Sequence, residues 1–372
     1  MQKPKVCFVL TDAISYQMLC RGQLEYFQEN SNFDMTFISG GVKQDFDKLL
    51  KRQVGKLFDA KLVRKPSIIK DVQSLITLIY YFSVNRFDLV VYSTPKALLL
   101  GSIATSITRH NNTIAIIRGR AYENYSGKKR KVYQLLDKIA LLSSKKVVFI
   151  SESLKDAYLK EGLVSRSKSY LLGSGSSNGV DANRFQPKNT NNKDRFTVLV
   201  AGRICADKGI YDLAEIITHI QNKKIIFKLV GPMEDTSSEA ILSSLMSKHT
   251  NIIHIPYTDS IEHHFMEADL HLFLTHREGF GNVAIEAASC GVPTFAYDVI
   301  GVKDSVKEGV SGRKFGFKDT ISIAKAIEEA AMDPYFHSRY PSVRDWAIEN
   351  FAQEKVWDNY LSFYNSVLKK SS

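Results

Sequence analysis

Two doubly wound α/β units in tandem are what this sequence predicts. Three observations carry the prediction. Short apolar runs recur without polar alternation, stretches of helical period lie between most of them, and a segment rich in Gly, Ser and Asn divides the series in two. Apolar runs without alternation, separated by helices, imply parallel sheets covered on both faces. Two such series imply two α/β units, each with its own core.

In the first half the strand-like runs are VCFVL (6–10), FDMTFI (33–38), FDLVVY (87–92), TIAII (113–117) and KVVFI (146–150). The second half repeats the theme with FTVLVAG (196–202), KIIFKLVG (224–231), NIIHI (251–255), DLHLFL (269–274) and VPTFAY (292–297). Between them lies GSGSSNGVDANRFQPKNTNNKD (173–194), whose composition favours a loop. The predicted division is a first domain over 1–177, a linker over 178–195, a second domain over 196–345, and a C-terminal helical segment over 346–372. That last segment carries Trp346, Phe351, Trp357, Tyr360, Phe363 and Tyr364 and can pack back on the first domain. No internal repeat argues for a solenoid.

Composition narrows the function classes. Of 372 residues, 44% are hydrophobic, enough for a core in each half. No apolar run reaches the roughly 20 residues needed to cross a bilayer. The longest, 72–84, is bracketed by charged and polar residues and reads as a core helix, with a membrane-surface helix as the alternative. The N-terminus runs directly into a strand and lacks the features of a signal peptide. Cys7, Cys20, Cys205 and Cys290 have no metal-ligand spacing and are expected to be reduced, buried thiols of a cytoplasmic protein.

The net charge of +11 sits entirely in the first half. Such a one-sided field implies an anionic partner: nucleic acid, an anionic membrane surface or a phosphorylated acceptor. A solvated basic face with no specific partner explains it equally simply. Lys128, Lys129, Arg130 and Lys131, followed by Lys138, Lys145 and Lys146, fall on one predicted helix and its flanks. Val132, Leu135, Leu136, Ile139 and Leu142 share a face of that helix, which is expected to pack on the sheet and leave the cations outward. Outward cations attract anionic lipid by about 1 kcal/mol each. The aromatics are not interleaved with Lys and Arg as in a nucleic-acid module, so nucleic acid is the weakest of the three candidates.

Two motifs in the second half carry chemistry. In VAGRICADKG (200–209) a strand ends and a helix begins near Asp207. Ligands bind beyond the carboxyl ends of strands in such sheets. Arg203, a planar fork, and Lys208, a point charge, can meet a diphosphate there. Two ordinary surface cations are the plainer explanation. The spacing is not that of a dinucleotide fingerprint. In EGFGNVAIE (278–286) the glycines permit close backbone approach to a ligand, and a helix starting near Asn282 points its positive dipole end to the same side. Glu278 and Glu286 can then border one pocket and accept hydrogen bonds from sugar hydroxyls. For Glu286 the plainer explanation is a carboxylate favoured by the helix dipole.

The acidic pair with seven residues between, inside EGFGNVAIEAASCGVPTFAYD, resembles the signature of the retaining family 4 glycosyltransferases. GRICADKGIYDL, LVGP (229–232) and GVKDSVKEGVSGRKF (301–315) occur in the family's order, so the resemblance covers 196–318. LGSGSSNGVDANRF (172–185) and IRGRAYEN (117–124) are similar to members that build bacterial surface polysaccharides and lipid-linked oligosaccharides. The resemblance implies a GT-B fold, with two Rossmann-like domains facing a cleft, and a retaining enzyme that needs no metal and no other cofactor. It implies that Arg203 and Lys208 grip the donor diphosphate and that Glu286 holds the nucleotide ribose. It places Glu278 on the sugar hydroxyls, and the backbone of Gly279, Phe280, Gly281, Asn282 and Val283 against sugar and phosphates. Arg118, Arg120 and Glu123 fall on the acceptor side.

Two departures stand out. Many relatives carry a His where this chain has Arg118, which cannot titrate near neutral pH but can bind an acceptor phosphate. The loop after the first strand, Thr11 to Ser15, lacks the two glycines common in relatives. The expected partners are a nucleotide sugar, with uridine favoured, a lipid-linked or saccharide acceptor, and the anionic inner face of the cytoplasmic membrane. Another GT-B activity using the same donor site, an epimerase or a phosphorylase, remains an alternative.

Overall fold

The computed structural model describes residues 3–187 and 194–369. It divides into two compact units, one of residues 1–178 with 354–372 and the other of residues 179–353. In the first, strands β1 (Lys5–Asp12), β2 (Asp34–Gly40), β3 (Lys56–Asp59), β4 (Leu89–Ser93), β5 (Thr113–Ile117), β6 (Lys146–Phe149) and β7 (Ser169–Leu171) form one sheet in the order β3-β2-β1-β4-β5-β6-β7. Every neighbouring pair is parallel. In the second, β8 (Phe196–Ala201), β9 (Ile225–Val230), β10 (Ile252–Ile255), β11 (Leu270–Phe273), β12 (Thr294–Tyr297) and β13 (Gly312–Phe315) order as β10-β9-β8-β11-β12-β13, again all parallel. Helices connect the strands in both units.

All ten apolar runs are strands. The three strands without such a run, β3, β7 and β13, lie at sheet edges. An edge strand need not be apolar along its whole length, and β3 and β7 contain no buried residue. Central strands are different: all five residues of β4 and of β5 are buried. Phe8 of β1 stacks on Phe37 of β2 at 5.6 Å, at the centre of the first core.

The segment expected to be a linker is partly folded. Val180 donates its N–H to Phe351 O at 2.8 Å. Phe185 is buried against Phe265, and its carbonyl accepts from Ser289 Oγ at 2.7 Å and from Arg344 at 2.8 Å. Residues 179–187 therefore belong to the second unit, because two large apolar side chains find a core there. Residues 188–193 lie outside the described residues.

The C-terminal segment is also shared differently. Trp346 and Phe351 are on helix Val343–Phe351, which stays with the second unit. Helix Gln353–Lys369 buries Val356, Trp357, Tyr360, Leu361, Tyr364 and Val367. Burial of such side chains contributes about 1.5–3 kcal/mol each, which attaches the helix firmly to the first unit. Tyr364 meets Phe8 and Phe27 edge-on, and Trp357 Nε1 donates to Asn178 at 2.9 Å.

Two helices of the first unit turn their apolar rows to solvent, against expectation. Helix Ile68–Val84 buries Ser74, Leu78 and Phe82 but exposes Ile68, Ile69, Val72, Ile76, Tyr80 and Val84. Helix Gly127–Ser143 buries Ala140 and Leu141 and exposes Val132, Leu135, Ile139 and Leu142, the row expected to pack inward. The reason lies in the inward face. Asp137 is held by the Tyr158 hydroxyl at 2.9 Å, and Gln134 donates to Glu161 at 3.1 Å. Both helices pack against helix Pro95–Ile107. No helix among the described residues is long and apolar enough to cross a membrane. All four cysteines are buried free thiols.

Candidate functional site in the second unit

The site is built where β8 and β11 end. After β8 the chain passes Gly202 and Arg203, makes a short 3-10 turn at Ala206–Lys208, and enters helix Ile210–His219 through Gly209. Gly209 has φ 80°, and a Cβ there would come within 2.4 Å of Leu274 O. Only glycine fits that approach. It lets the Lys208 turn lie against the loop that follows β11, Thr275 to Gly281.

That contact joins two residues seventy positions apart. Lys208 Nζ forms an ion pair with Glu278 and donates to Thr275 Oγ1 at 3.3 Å. A second tie links the same loops: Arg277 pairs with Asp207, and the His276 N–H donates to Asp207 O at 2.9 Å. His276 in turn meets Asp212 at 2.7 Å, where the Tyr297 hydroxyl also donates, at 3.1 Å. These contacts tie the loop carrying Glu278 to the turn after β8 and to helix Ile210–His219. Gly301, at φ 83°, closes over it, since a Cβ there would sit 2.6 Å from Glu278 O.

Arg203 lies further out, half-exposed, and pairs with Glu234 from the loop after β9. Both cations that the sequence assigns to a diphosphate are therefore paired with a carboxylate.

Helix Asn282–Ser289 starts at Gly281, which has no side chain to cap it. Phe280 is buried against Phe351 at 5.1 Å, so its ring anchors the loop and only its backbone can face a ligand. Val283 packs beside Phe273, Ala296 and Val302. Glu286, one turn into the helix, is half-buried, and desolvation pushes its carboxyl up to about 7. Arg184 pulls it back and Glu262 pushes it further, and those two are themselves paired at 2.7 Å. Cys290, one turn along, is pushed up to about 12 by burial and then by Glu286.

On the first unit, Arg120 and Glu123 pair with each other, and Arg120 also meets Glu161 at 3.2 Å. Tyr122 donates to the same Glu161 at 2.7 Å. This network spends their charge internally. Arg118 differs: its Nε donates to Ser93 Oγ at 2.9 Å, while its buried Nη1 has no hydrogen-bond partner. Sequence reasoning named Arg203, Lys208, Glu278 and Glu286 but missed Glu234, Thr275, His276, Arg277 and Arg184. Nothing in their spacing marks them, because each enters only through a loop-to-loop contact.

Comparison with known proteins agrees with this architecture. Residues 181–346 match the family described as glycosyl transferases group 1. The chain is 30% identical to the capsular polysaccharide biosynthesis glycosyltransferase CapM of Staphylococcus aureus, over 100% of this chain and 99% of that protein. It is 23% identical to the UDP-Gal:alpha-D-GlcNAc-diphosphoundecaprenol alpha-1,3-galactosyltransferase of Escherichia coli, covering 90% of this chain and 89% of the relative. Among solved structures, sucrose-phosphate synthase of Thermosynechococcus elongatus superposes with a TM-score of 0.81 at 16% identity, over 100% of both chains. Anabaena HepE in complex with UDP and glucose superposes at 0.77 and 16% identity, over 98% of this chain and 100% of that one. With two parallel α/β units, and a relative this similar along its whole length, the chain belongs to the group 1 glycosyl transferases and has the GT-B fold.

Proposed function

We propose that this glycosyltransferase moves a sugar from a UDP-sugar to a lipid-linked or saccharide acceptor in the synthesis of a bacterial surface polysaccharide, with retention at the anomeric carbon. The observation that carries the reading is the Lys208–Glu278 pair set beside the start of helix Asn282–Ser289. A cation, a carboxylate and the positive end of a helix dipole side by side support a site for a diphosphate and a sugar. Full-length similarity to a capsular polysaccharide enzyme supports the pathway class, and the printed substrate of the Escherichia coli relative supports a lipid-diphosphate acceptor.

In this mechanism Arg203 and Lys208 leave their carboxylates and bind the donor diphosphate. As the C1–O bond to the β-phosphate breaks, the sugar gains oxocarbenium character and negative charge grows on the leaving oxygen. Lys208, Arg203 and the helix start stabilise that charge from fixed positions. The acceptor hydroxyl attacks C1 on the face the leaving group departs from and passes its proton to the phosphate oxygen. Glu278, released from Lys208, accepts hydrogen bonds from the sugar hydroxyls, and Glu286 does so from the ribose. These cations supply the charge stabilisation that a divalent ion gives elsewhere, so the proposal requires no metal.

Peripheral membrane association belongs to the same reading. The exposed row on helix Gly127–Ser143 lies on the element that also carries Lys128, Lys129, Arg130 and Lys131. Apolar insertion and attraction to anionic lipid then act together. The direct test of function is incubation with a panel of UDP-sugars and a lipid-diphosphate saccharide, with the product's anomeric configuration read by NMR. A product of unchanged configuration is expected. Interconversion of the donor without an acceptor would indicate an epimerase instead, and strict dependence on inorganic phosphate a phosphorylase.

A further inference from the structure

The first unit has an open pocket of about 470 Å³ at the carboxyl ends of three adjacent strands. Asp12 ends β1, Gly41 follows β2, and Asp59 ends β3. Lys61, Arg64 and Lys70 complete the polar wall. Asp59 already holds Lys61, through Nζ at 2.5 Å and the backbone N–H at 2.9 Å. Arg64 and Lys70 have no ionic partner among the described residues. Three cations against two carboxylates, one of them spent on Lys61, leave the wall around Arg64 and Lys70 positive.

Lys70 and Gln73 reach this pocket from helix Ile68–Val84, which bears the larger of the exposed apolar rows. Gln73 is four residues from Ile69 and three from Ile76, so the pocket wall and the apolar strip are neighbours on one helix surface. Ile68 is 85% and Ile69 74% exposed. The helix's one carboxylate, Asp71, is tied to Lys96, so the strip carries no opposing negative charge. A large aliphatic row beside a cationic cavity fits an amphiphile with a charged head better than it fits water.

We infer that this pocket and strip seat a lipid diphosphate: the diphosphate on Arg64 and Lys70, with Lys61 at the rim, and the hydrocarbon chain on Ile69, Val72, Ile76 and Tyr80. A saccharide carried on the diphosphate would place a hydroxyl on the Asp12 carboxylate, at the carboxyl end of β1, where ligands bind in open α/β sheets. The inference rests on the reading that the acceptor is lipid-linked, and it names the residues that recognise it.

The experiment is calorimetric titration of the whole chain with farnesyl diphosphate and, separately, with inorganic pyrophosphate. The chains compared are wild type, Arg64→Gln/Lys70→Gln and Ile69→Ser/Ile76→Ser, with UDP affinity as the control for folding of the second unit and the melting temperature as the control for the first. Farnesyl diphosphate is expected to bind wild type more tightly than pyrophosphate does. The charge variant should weaken both ligands about tenfold or more, the value of one charge-assisted contact. The apolar variant should weaken farnesyl diphosphate alone. Equal affinity of wild type for the two ligands, or farnesyl diphosphate affinity unchanged in either variant, would overturn the inference. Lipid-linked transfer persisting with an unchanged KM in both variants would also overturn it while leaving the proposed function intact. If the binding pattern holds and no lipid-linked saccharide is glycosylated, the proposed function fails and the pocket stands.

Discussion

Lys208 is paired with Glu278, the carboxylate that the proposed donor site requires it to release. Its pair with Glu278 is three-quarters buried, so removing one partner leaves the other in a poorly solvated place. Lys208→Ala is therefore expected to lower transfer by about 10²–10³-fold, the loss typical of one fixed donor to a developing charge. Arg203 is different, since its pair with Glu234 is half-exposed and such pairs contribute roughly 0–1 kcal/mol. Arg203→Ala should leave the melting temperature near wild type while raising the KM for donor, which steady-state kinetics with a thermal melt will separate.

Glu286 gives a pH signature. Its carboxyl titrates near 7 because burial favours the neutral form. The groups around it are Arg184, Glu262 and Cys290. In the proposed donor site ribose hydroxyls donate to the ionised form, so UDP affinity is expected to rise as pH passes upward through about 7. The sign for stability is opposite. A carboxyl raised above its unfolded value favours the fold while protonated, and that contribution is lost as pH rises from the unfolded pKa through about 7. Glu286→Gln should accordingly raise stability at pH 8 by about 1–3 kcal/mol, weaken UDP binding and flatten its pH dependence. Titration calorimetry and denaturant melts at pH 6 and 8 check all three, and a destabilised variant at pH 8 would contradict the assignment.

Elements were legible where burial is two-sided. The β1, β4 and β5 strands read as nearly continuous apolar runs because both faces are covered, and in β8 and β11 only Thr197 and the buried His271 interrupt the run. The β3, β7 and β13 strands did not, because an edge strand can be part polar and short. Helix faces were misread for a related reason: periodicity shows that Val132, Leu135, Ile139 and Leu142 share a face, and not what lies opposite it. The hydrogen bond that Asp137 accepts from Tyr158 and the one that Gln134 donates to Glu161 occupy the inward side, and helix Pro95–Ile107 completes the contact. With the apolar row outward beside Lys128 to Lys131, helix Gly127–Ser143 is expected to bind vesicles by both charge and insertion. Sedimentation should show tight binding to anionic vesicles, weakened by salt, with loss on changing residues 128–131 to Gln and a smaller loss on Leu135→Ser/Leu142→Ser. Equal binding to neutral and anionic vesicles would reduce the cations to a solvated face.

At the scale of the whole molecule, chemistry and charge are divided between two units of one architecture. The second unit holds the motif residues, and these were legible because Arg203, Lys208, Glu278 and Glu286 lie in two short segments. Their pairing was not, because Lys208 meets Glu278 only when Gly209 lets one loop rest on the next. The first unit holds the excess positive charge, the exposed apolar rows and the basic pocket, none of which has a short signature. The most direct test of the central claim is UDP release from a UDP-sugar, with acceptor present, by wild type and by Lys208→Ala matched for melting temperature. Turnover by wild type that falls about 10²-fold or more in the variant is the predicted result. Equal turnover in both, or none with any nucleotide sugar, would contradict the placement of the donor diphosphate at Lys208.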